Sequence, residues 1–429
     1  MSQKIQSVKG MHDALPTQTA KWQYIEGTFR QLFAQYGYRE IRTPIVEETR
    51  LFTRSLGEVT DIVEKEMYVF SDSDEKTSLA LRPELTAGIV RSGIQHGLFY
   101  NQVQKVWQIG SVFRYDKPQH GRYRQFNQAD IEVFGIESPD VDAEILAMIN
   151  RLWQKLGVSE YVTLELNSMG TEECRQRYRE VIVKYFEDNI ELLDEDSLRR
   201  LKTNPLRILD SKNPAMQDLL NQAPTLLDHL TEESAEHFKK LCAYLDELGI
   251  QYVINHRIVR GMDYYTRTVF EWTTNKLGAQ ATICGGGRYD RMVEELGGHK
   301  TPAIGFGLGM ERLYLLCEEV KEMENAQHSD LVAVLLGNDA KKAGLSLMEK
   351  IRTAYPDYLV STVLGESGMK SQMKKADQSG ARFAMIIGEN ELNNNIAIIK
   401  NLRESGEQQE IALSELVYWL KNIKEKVMR

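Results

Sequence analysis

Apolar residues recur at helical spacing over residues 17–36 (TQTAKWQYIEGTFRQLFAQY), where Trp22, Ile25, Phe29, Leu32 and Phe33 fall on one face. That periodicity predicts an amphipathic helix, with Gly37 as its stop. YREIRTPIV then alternates like a strand broken at Pro44. Further strand-length runs follow at MYVF (67–70), SLALR (78–82), VWQIGSVFR (106–114), FNQADIEVF (126–134) and VTLEL (162–166). Strands in succession without regular crossover helices predict an antiparallel sheet flanked by helices, an α+β arrangement.

From Thr171 to about Leu248 charged helical segments take over (TEECRQRYREVIVKYFEDN, EESAEHFKKLCAYLDELG), which predicts a helical insertion at 171–248. Strand patterns return at YVINHRI, TVFEWTT and AQATICGG, and IGFGLGMERLYLLCEEV reads as a strand running into a helix. After the polar stretch KEMENAQHS (321–329), β and α patterns alternate to the end. The expected division is one domain over 1–325 and a small α/β domain over 330–429.

Composition narrows the classes. The chain has 429 residues, 42% hydrophobic and 27% charged, enough apolar content to bury real cores. No apolar run approaches the ~18 residues of a membrane span, and the first residues show no apolar leader. The four cysteines (Cys174, Cys242, Cys284, Cys317) form no CxxC pair or metal-ligand spacing, as expected of a reduced, cytoplasmic chain. Net charge is −9, which argues against a protein that coats nucleic acid indiscriminately. Residues 330–429 hold 14 basic and 13 acidic side chains, leaving 39 basic and 49 acidic before them.

The stretch RYRQFNQADIEVFG (122–135) carries unusual charge for a strand. Alternation sends Ala129, Ile131 and Val133 to one face, and Phe126, Gln128, Asp130 and Glu132 to the other. A solvated polar face is the plain reading of such a strand. The preceding strand ends at Arg114, however, and the intervening loop supplies Lys117 and Arg122. A hairpin of this kind has a cationic rim suited to polyphosphate and a floor suited to ammonium or imidazole. Such a site fits a reaction between an amino acid and a nucleotide.

FRYDKPQHGRYRQFNQADIEVFG (113–135) resembles motif 2 of the class II aminoacyl-tRNA synthetases, in the form found in histidyl-tRNA synthetases. VRGMDYYTRTVFEW (259–272) and GGGRYDRM (285–292) resemble that family's two histidine signatures. LRPELTAG (81–88) is similar to its amino-acid loop, GFGLGMERL (305–313) to motif 3, and YGYREIRTPIVE (36–47) to motif 1, the dimer segment. The motifs occur in the family's order.

The resemblance implies a histidine–tRNA ligase that makes histidyl-adenylate from L-histidine and ATP and charges tRNA(His). It implies Mg²⁺ arriving with ATP on ligands left unassigned, a homodimer, and an anticodon-binding role for 330–429. By the same resemblance, Arg260 and Arg114 are catalytic. Histidine is bound by Glu84, Leu85, Thr86, Gln128, Glu132, Arg260, Tyr264 and Tyr265; strand alternation at the two adjacent tyrosines predicts one on the ring and the other packing. ATP is bound by Arg114, Asp116, Arg122, Phe126 and Arg312. Asp116, Leu85 and Arg291 depart from the expected Glu, Gly and Gly. Two other readings of the same chain are a catalytically idle regulatory relative serving histidine biosynthesis, and a tRNA-binding module without chemistry.

Overall fold

The computed structural model describes residues 4–57, 60–72, 76–259, 264–278, 282–320, 329–404 and 408–427. The chain divides into two compact units, Met1–Glu324 and Asn325–Arg429.

The first unit begins with α1 (Pro16–Gln35), β1 (Arg39–Glu40), β2 (Val46–Glu48), α2 (Thr49–Leu56), β3 (Tyr68–Ser71), β4 (Ser78–Leu81) and α3 (Thr86–Gln95). A long hairpin follows, β5 (Gln104–Phe113) and β6 (Gln125–Phe134), then α4 (Pro139–Leu156) and β7 (Thr163–Ser168). The inserted helices are α5 (Glu172–Glu187), α6 (Glu195–Thr203), α7 (Gln217–Asn221) and α8 (Glu232–Glu247). The unit closes with β8 (Val253–Ile254), β9 (Thr266–Thr273), β10 (Thr282–Arg288), α9 (Met292–Glu295), β11 (Ala303–Gly309) and α10 (Met310–Val320).

Helix α1 starts with Pro16, whose fixed φ suits a first turn, and the chain leaves it through Gly37 at φ +80°. Its stripe Ile25, Phe29, Leu32 and Phe33 is fully buried. These residues share one apolar cluster with Ala129, Ile131 and Val133 of β6 and with Ile145, Leu146 and Trp153 of α4. The period-2 alternation of β6 is therefore realised: one face packs on helices, and the other is left for the site.

Eight strands form the main sheet in the order β1-β5-β6-β11-β10-β9-β7-β8. The six central strands pair antiparallel, as the run of strands predicts. The two edges differ: β1 runs parallel to β5, and β8 parallel to β7. Both edge strands are two residues long and follow or precede long connections, which is what parallel pairing requires. A second sheet, β2-β4-β3, stands apart.

A buried polar knot ties the insertion to the sheet. Asp142 of α4 accepts Arg288 Nε at 2.9 Å and Nη2 at 2.8 Å, and Thr268 Oγ1 at 2.7 Å, while His237 Nε2 of α8 lies 2.9 Å from its Oδ2. The Arg288 and Asp142 side chains are wholly buried. The guanidinium holds the Asp142 carboxyl below its ordinary range against the opposing effect of burial, which is the largest single influence on it.

The second unit runs β12 (Leu331–Leu335), α11 (Asn338–Ala354), β13 (Val360–Thr362), α12 (Met369–Gln378), β14 (Phe383–Ile387), α13 (Glu389–Asn393), β15 (Ile396–Asn401), β16 (Gln409–Ala412) and α14 (Leu416–Val427). Its sheet, ordered β13-β12-β14-β15-β16, pairs parallel around β12 and antiparallel beyond β14. It has its own core, including Leu331, Leu335, Met348, Ile351 and Met385. Among the described residues no helix is long and apolar enough to cross a membrane.

Candidate active site

The outward face of β6 forms the floor of a cavity of about 340 Å³. Phe126, Gln128, Asp130 and Glu132 all line it. Glu84 and Thr86 reach it from the start of α3, Tyr264 and Tyr265 from the approach to β9, and Tyr289 from the end of β10. Arg114, Asp116 and Arg122 line it from the hairpin loop, and Arg312 from the first turn of α10. Segments separated by more than two hundred residues thus converge on one space.

Acidic groups crowd one side. Glu132 Oε1 accepts Thr86 Oγ1 at 2.6 Å, and its other oxygen accepts the Tyr289 hydroxyl. Burial is the main influence on Glu132 and lifts its pKa to about 8 against those two hydrogen bonds. Asp130 lies beside it, also fully buried. Burial first, then the neighbouring Glu132 and Glu84, holds its carboxyl well above the usual range. Glu84 accepts the Thr86 and Ala87 backbone amides at 2.6 and 2.9 Å, at the amide-rich start of α3, and burial still raises its pKa. Among the described residues, Gln128 Oε1 and Asp130 Oδ1 are buried without a hydrogen-bond partner. Buried polar atoms are costly unless something pairs with them. Three carboxyl groups, with open acceptors at Asp130 Oδ1 and at the Gln128 amide oxygen, define a place for a ligand that donates hydrogen bonds.

Glycine makes that place possible. Gly305 and Gly307 of β11 pair with Glu132 and Asp130 of β6. A Cβ at 305 would lie 1.6 Å from Glu132 Oε2, so the carboxylate occupies the volume that a side chain there would fill.

Guanidinium groups define the other side. Arg114 is held by Nε on the Pro83 carbonyl at 2.8 Å, and its guanidinium lies 5.4 Å from the Phe126 ring centroid. Arg122 pairs with Asp116 and approaches Glu66 at 3.5 Å. Arg312 donates to the Gly121 carbonyl at 3.0 Å and the Thr282 carbonyl at 2.6 Å, binding the hairpin loop to the sheet. Burial first, then the like charges of Arg114 and Arg122, lowers the Arg312 pKa to about 10. Repulsion of that kind is relieved by a bound polyanion.

The predicted residues divide as follows. Every described one of them lines the cavity except Leu85. Leu85 is buried in the apolar cluster with Phe52 and Val90, and its φ of −103° needs no glycine. Arg260 lies outside the described residues. Tyr264 and Tyr265 precede β9 instead of lying on it, so strand alternation does not separate them. Their rings lie 4.6 Å apart, and both face the cavity. Asp116 is turned to Arg122 and to the Lys117 amide at 2.6 Å. Arg291 meets Glu172 of the insertion at 3.3 Å.

Asp130, Glu66, Lys212, Glu271, Tyr289 and Glu311 also line the cavity, though none is assigned a role from sequence. Strand alternation had already put Asp130 on the correct face. Glu66 and Lys212 arrive from segments with no local signal.

An open antiparallel sheet with an acidic pocket and a guanidinium cluster on one face, together with a separate C-terminal sheet domain, is the architecture of a class II aminoacyl-tRNA synthetase. Residues 10–313 match the sequence profile described as histidyl-tRNA synthetase, and residues 331–423 match that of an anticodon binding domain. The apo histidyl-tRNA synthetase of S. aureus is 39% identical, with a TM-score of 0.81 over 97% of this chain and 99% of that one. Two more distant structures share the fold. A histidyl-tRNA synthetase from Nostoc is 23% identical, with a TM-score of 0.71 over 98% of this chain and 99% of that one. A Bacillus halodurans protein described as an ATP phosphoribosyltransferase regulatory subunit/histidyl-tRNA synthetase is 21% identical, with a TM-score of 0.64 over 90% of this chain and 99% of that one. The chain belongs to the histidyl-tRNA synthetase family.

Proposed function

We propose a division of labour within the cavity: the acidic side holds L-histidine, the arginine side holds ATP, and the two react where the sides meet. The activity follows from the family, which makes the chain an aminoacyl-tRNA synthetase, a histidine–tRNA ligase. The observation that carries the assignment is the convergence of Glu84, Asp130 and Glu132 with Arg114, Arg122 and Arg312 on one cavity.

Glu84 and Gln128 take the α-ammonium group. Glu132 and a tyrosine hydroxyl take the two imidazole nitrogens. The histidine carboxylate attacks the α-phosphorus of ATP, and pyrophosphate leaves. Arg114 and Arg260 stabilise the charge that builds on the α-phosphate. Arg122 and Arg312 hold the outer phosphates, and Phe126 stacks on adenine. A terminal ribose hydroxyl of tRNA(His) then attacks the acyl carbon, and AMP leaves. A polar pocket rejects apolar side chains of similar size strongly, since its own buried groups would be left unpaired.

ATP enters as its Mg²⁺ complex. Glu271 and Glu311 are the further cavity carboxylates that would hold the ion, which would offset the charge of the phosphates. Among the described residues there is no cluster of three or more His, Cys, Asp or Glu side chains able to hold a metal by itself.

The C-terminal unit reads the anticodon region. A homodimer forms through the motif 1 side, where the β2-β4-β3 sheet exposes Val46, Val69 and Phe70. The cytoplasm is the fitting compartment for a chain whose four cysteines form no CxxC pair.

Histidine-dependent exchange of pyrophosphate into ATP tests the assignment. Exchange with histidine and with no other amino acid supports it. No exchange from a protein that still binds tRNA(His) would point to a binding module, and neither exchange nor tRNA binding to an idle relative.

A further inference from the structure

The helical insertion contributes only Lys212 to the lining of the active-site cavity. Besides packing α8 against α4, it also grips the segment that carries the two tyrosines. That segment lies between β8 and β9, and both of its described ends are held by the insertion. At the first end, Arg257 spreads its guanidinium over four acceptors, all within residues 209–221. Nη1 donates to Gln217 Oε1 at 2.9 Å and Asn221 Oδ1 at 3.0 Å, Nη2 to the Ser211 carbonyl at 3.2 Å, and Nε to the Leu209 carbonyl at 3.3 Å. At the second end, Arg175 of α5 donates through Nη1 to the Tyr265 carbonyl at 2.9 Å. Glu172 holds the other arm of Arg175 at 2.7 Å and also takes Arg291 at 3.3 Å. Neither Arg175 nor Arg257 lines the active-site cavity.

The tyrosines belong to the amino-acid side. The Tyr264 ring lies 5.6 Å from that of Tyr289, whose hydroxyl bonds Glu132. Arg114, Arg122 and Arg312, assigned to ATP, sit on other elements; Arg260 falls in sequence between Arg257 and Tyr264, and its part in the transition state is read in the exchange rate and not in the ATP KM. A loop that must present two rings to a ligand loses conformational freedom when it does so, and fixing it beforehand removes that cost from binding. Arginine suits the task, because one planar fork satisfies several carbonyl and amide oxygens at once.

We infer that Arg175 and Arg257 are positioning residues for histidine recognition, so that the insertion acts as a brace for the tyrosine segment. The inference rests on the reading that the acidic side of the cavity takes histidine. A purely adhesive role, attaching a helical module to the sheet, predicts something different. It would lower stability and the fraction of active enzyme without separating the two substrates.

Pyrophosphate exchange by full-length Arg175→Met, Arg175→Lys and Arg257→Met, with KM measured for histidine and for ATP, separates the two. Losing a charge-assisted hydrogen bond at either end raises the histidine KM roughly fivefold or more. The ATP KM stays within about twofold, because Arg114, Arg122 and Arg312 are untouched. Arg175→Lys, which keeps a donor, recovers most of the loss. Active-site titration and thermal unfolding report the folded fraction of each variant. Should Arg175→Met not fold, Arg257→Lys, with fewer donors for the same four acceptors, decides by the same split. An unchanged histidine KM in folded variants, or equal rises for both substrates, would overturn the brace while leaving the cavity assignment intact. Failure of the unaltered chain to show histidine-dependent exchange would overturn that assignment, and the brace with it.

Discussion

Glu132 and Gly305 are paired residues on adjacent strands, and the carboxylate of one lies in the space a side chain on the other would need. An alanine Cβ at 305 would also come within 2.4 Å of the Ile131 carbonyl. Gly305→Ala should therefore displace Glu132 or bend β11, at a cost of about 1–3 kcal/mol. Denaturant unfolding measures that cost. Exchange kinetics should show a histidine KM raised at least tenfold, and an unaltered histidine KM would contradict the placement of the imidazole beside Glu132.

The carboxyl of Glu132 also predicts a pH dependence. In the unfolded chain it loses its proton near the ordinary value of 4.5, whereas in the folded protein burial keeps the proton to about 8. Between those values the folded state holds the extra proton, so ligand-free stability declines as pH rises through the window, by up to about 1.4 kcal/mol per pH unit from this group. Glu132→Gln should flatten that decline. Thermal unfolding from pH 5 to 9 of both proteins measures it, and identical profiles would show that Glu132 does not titrate in this way.

The α-phosphate assignment separates rate from affinity. Arg114→Ala and Arg260→His should each lower the exchange rate by roughly a hundredfold or more, the scale set by losing one group that stabilises transition-state charge. ATP affinity should fall much less. Equal losses in both quantities would mean that these arginines bind ground-state nucleotide instead.

The C-terminal sheet domain has a core of its own, including Leu331, Met348 and Met385. Removing residues 330–429 should leave histidyl-adenylate formation within a few-fold of the intact chain and weaken tRNA charging far more. Comparing exchange with aminoacylation on the same preparation distinguishes the two, and matched losses would count against an anticodon role.

Much of this site is legible in the sequence because its floor is a strand. Period-2 alternation assigns Phe126, Gln128, Asp130 and Glu132 to one face without knowledge of what lies opposite, and the motifs then supply Glu84, Arg114 and Arg312. Other features depend on packing that no local pattern records. Leu85 points into the core because α3 begins at Thr86, which turns its side chain toward Phe52 and Val90. Tyr264 and Tyr265 share the cavity because β9 starts at Thr266, just after them, so strand alternation does not apply to the pair. The parallel edge strands β1 and β8 are too short to leave a periodic signature. The basic side chain at 291, unexpected by resemblance, is accounted for only once Glu172 lies beside it.

The knot around Asp142 bears on how this protein could be shortened. His237 belongs to the inserted stretch, whereas Arg288, Thr268 and Asp142 belong to the sheet and to the helix beneath it. Splicing out 171–248 would strip one of three side chains from a carboxylate with no access to water, and a buried group left short of a partner costs about 1–3 kcal/mol. Any viable minimal version of this enzyme would have to rebuild that junction, for instance with an amide at 142, before its chemistry could be compared with that of the parent.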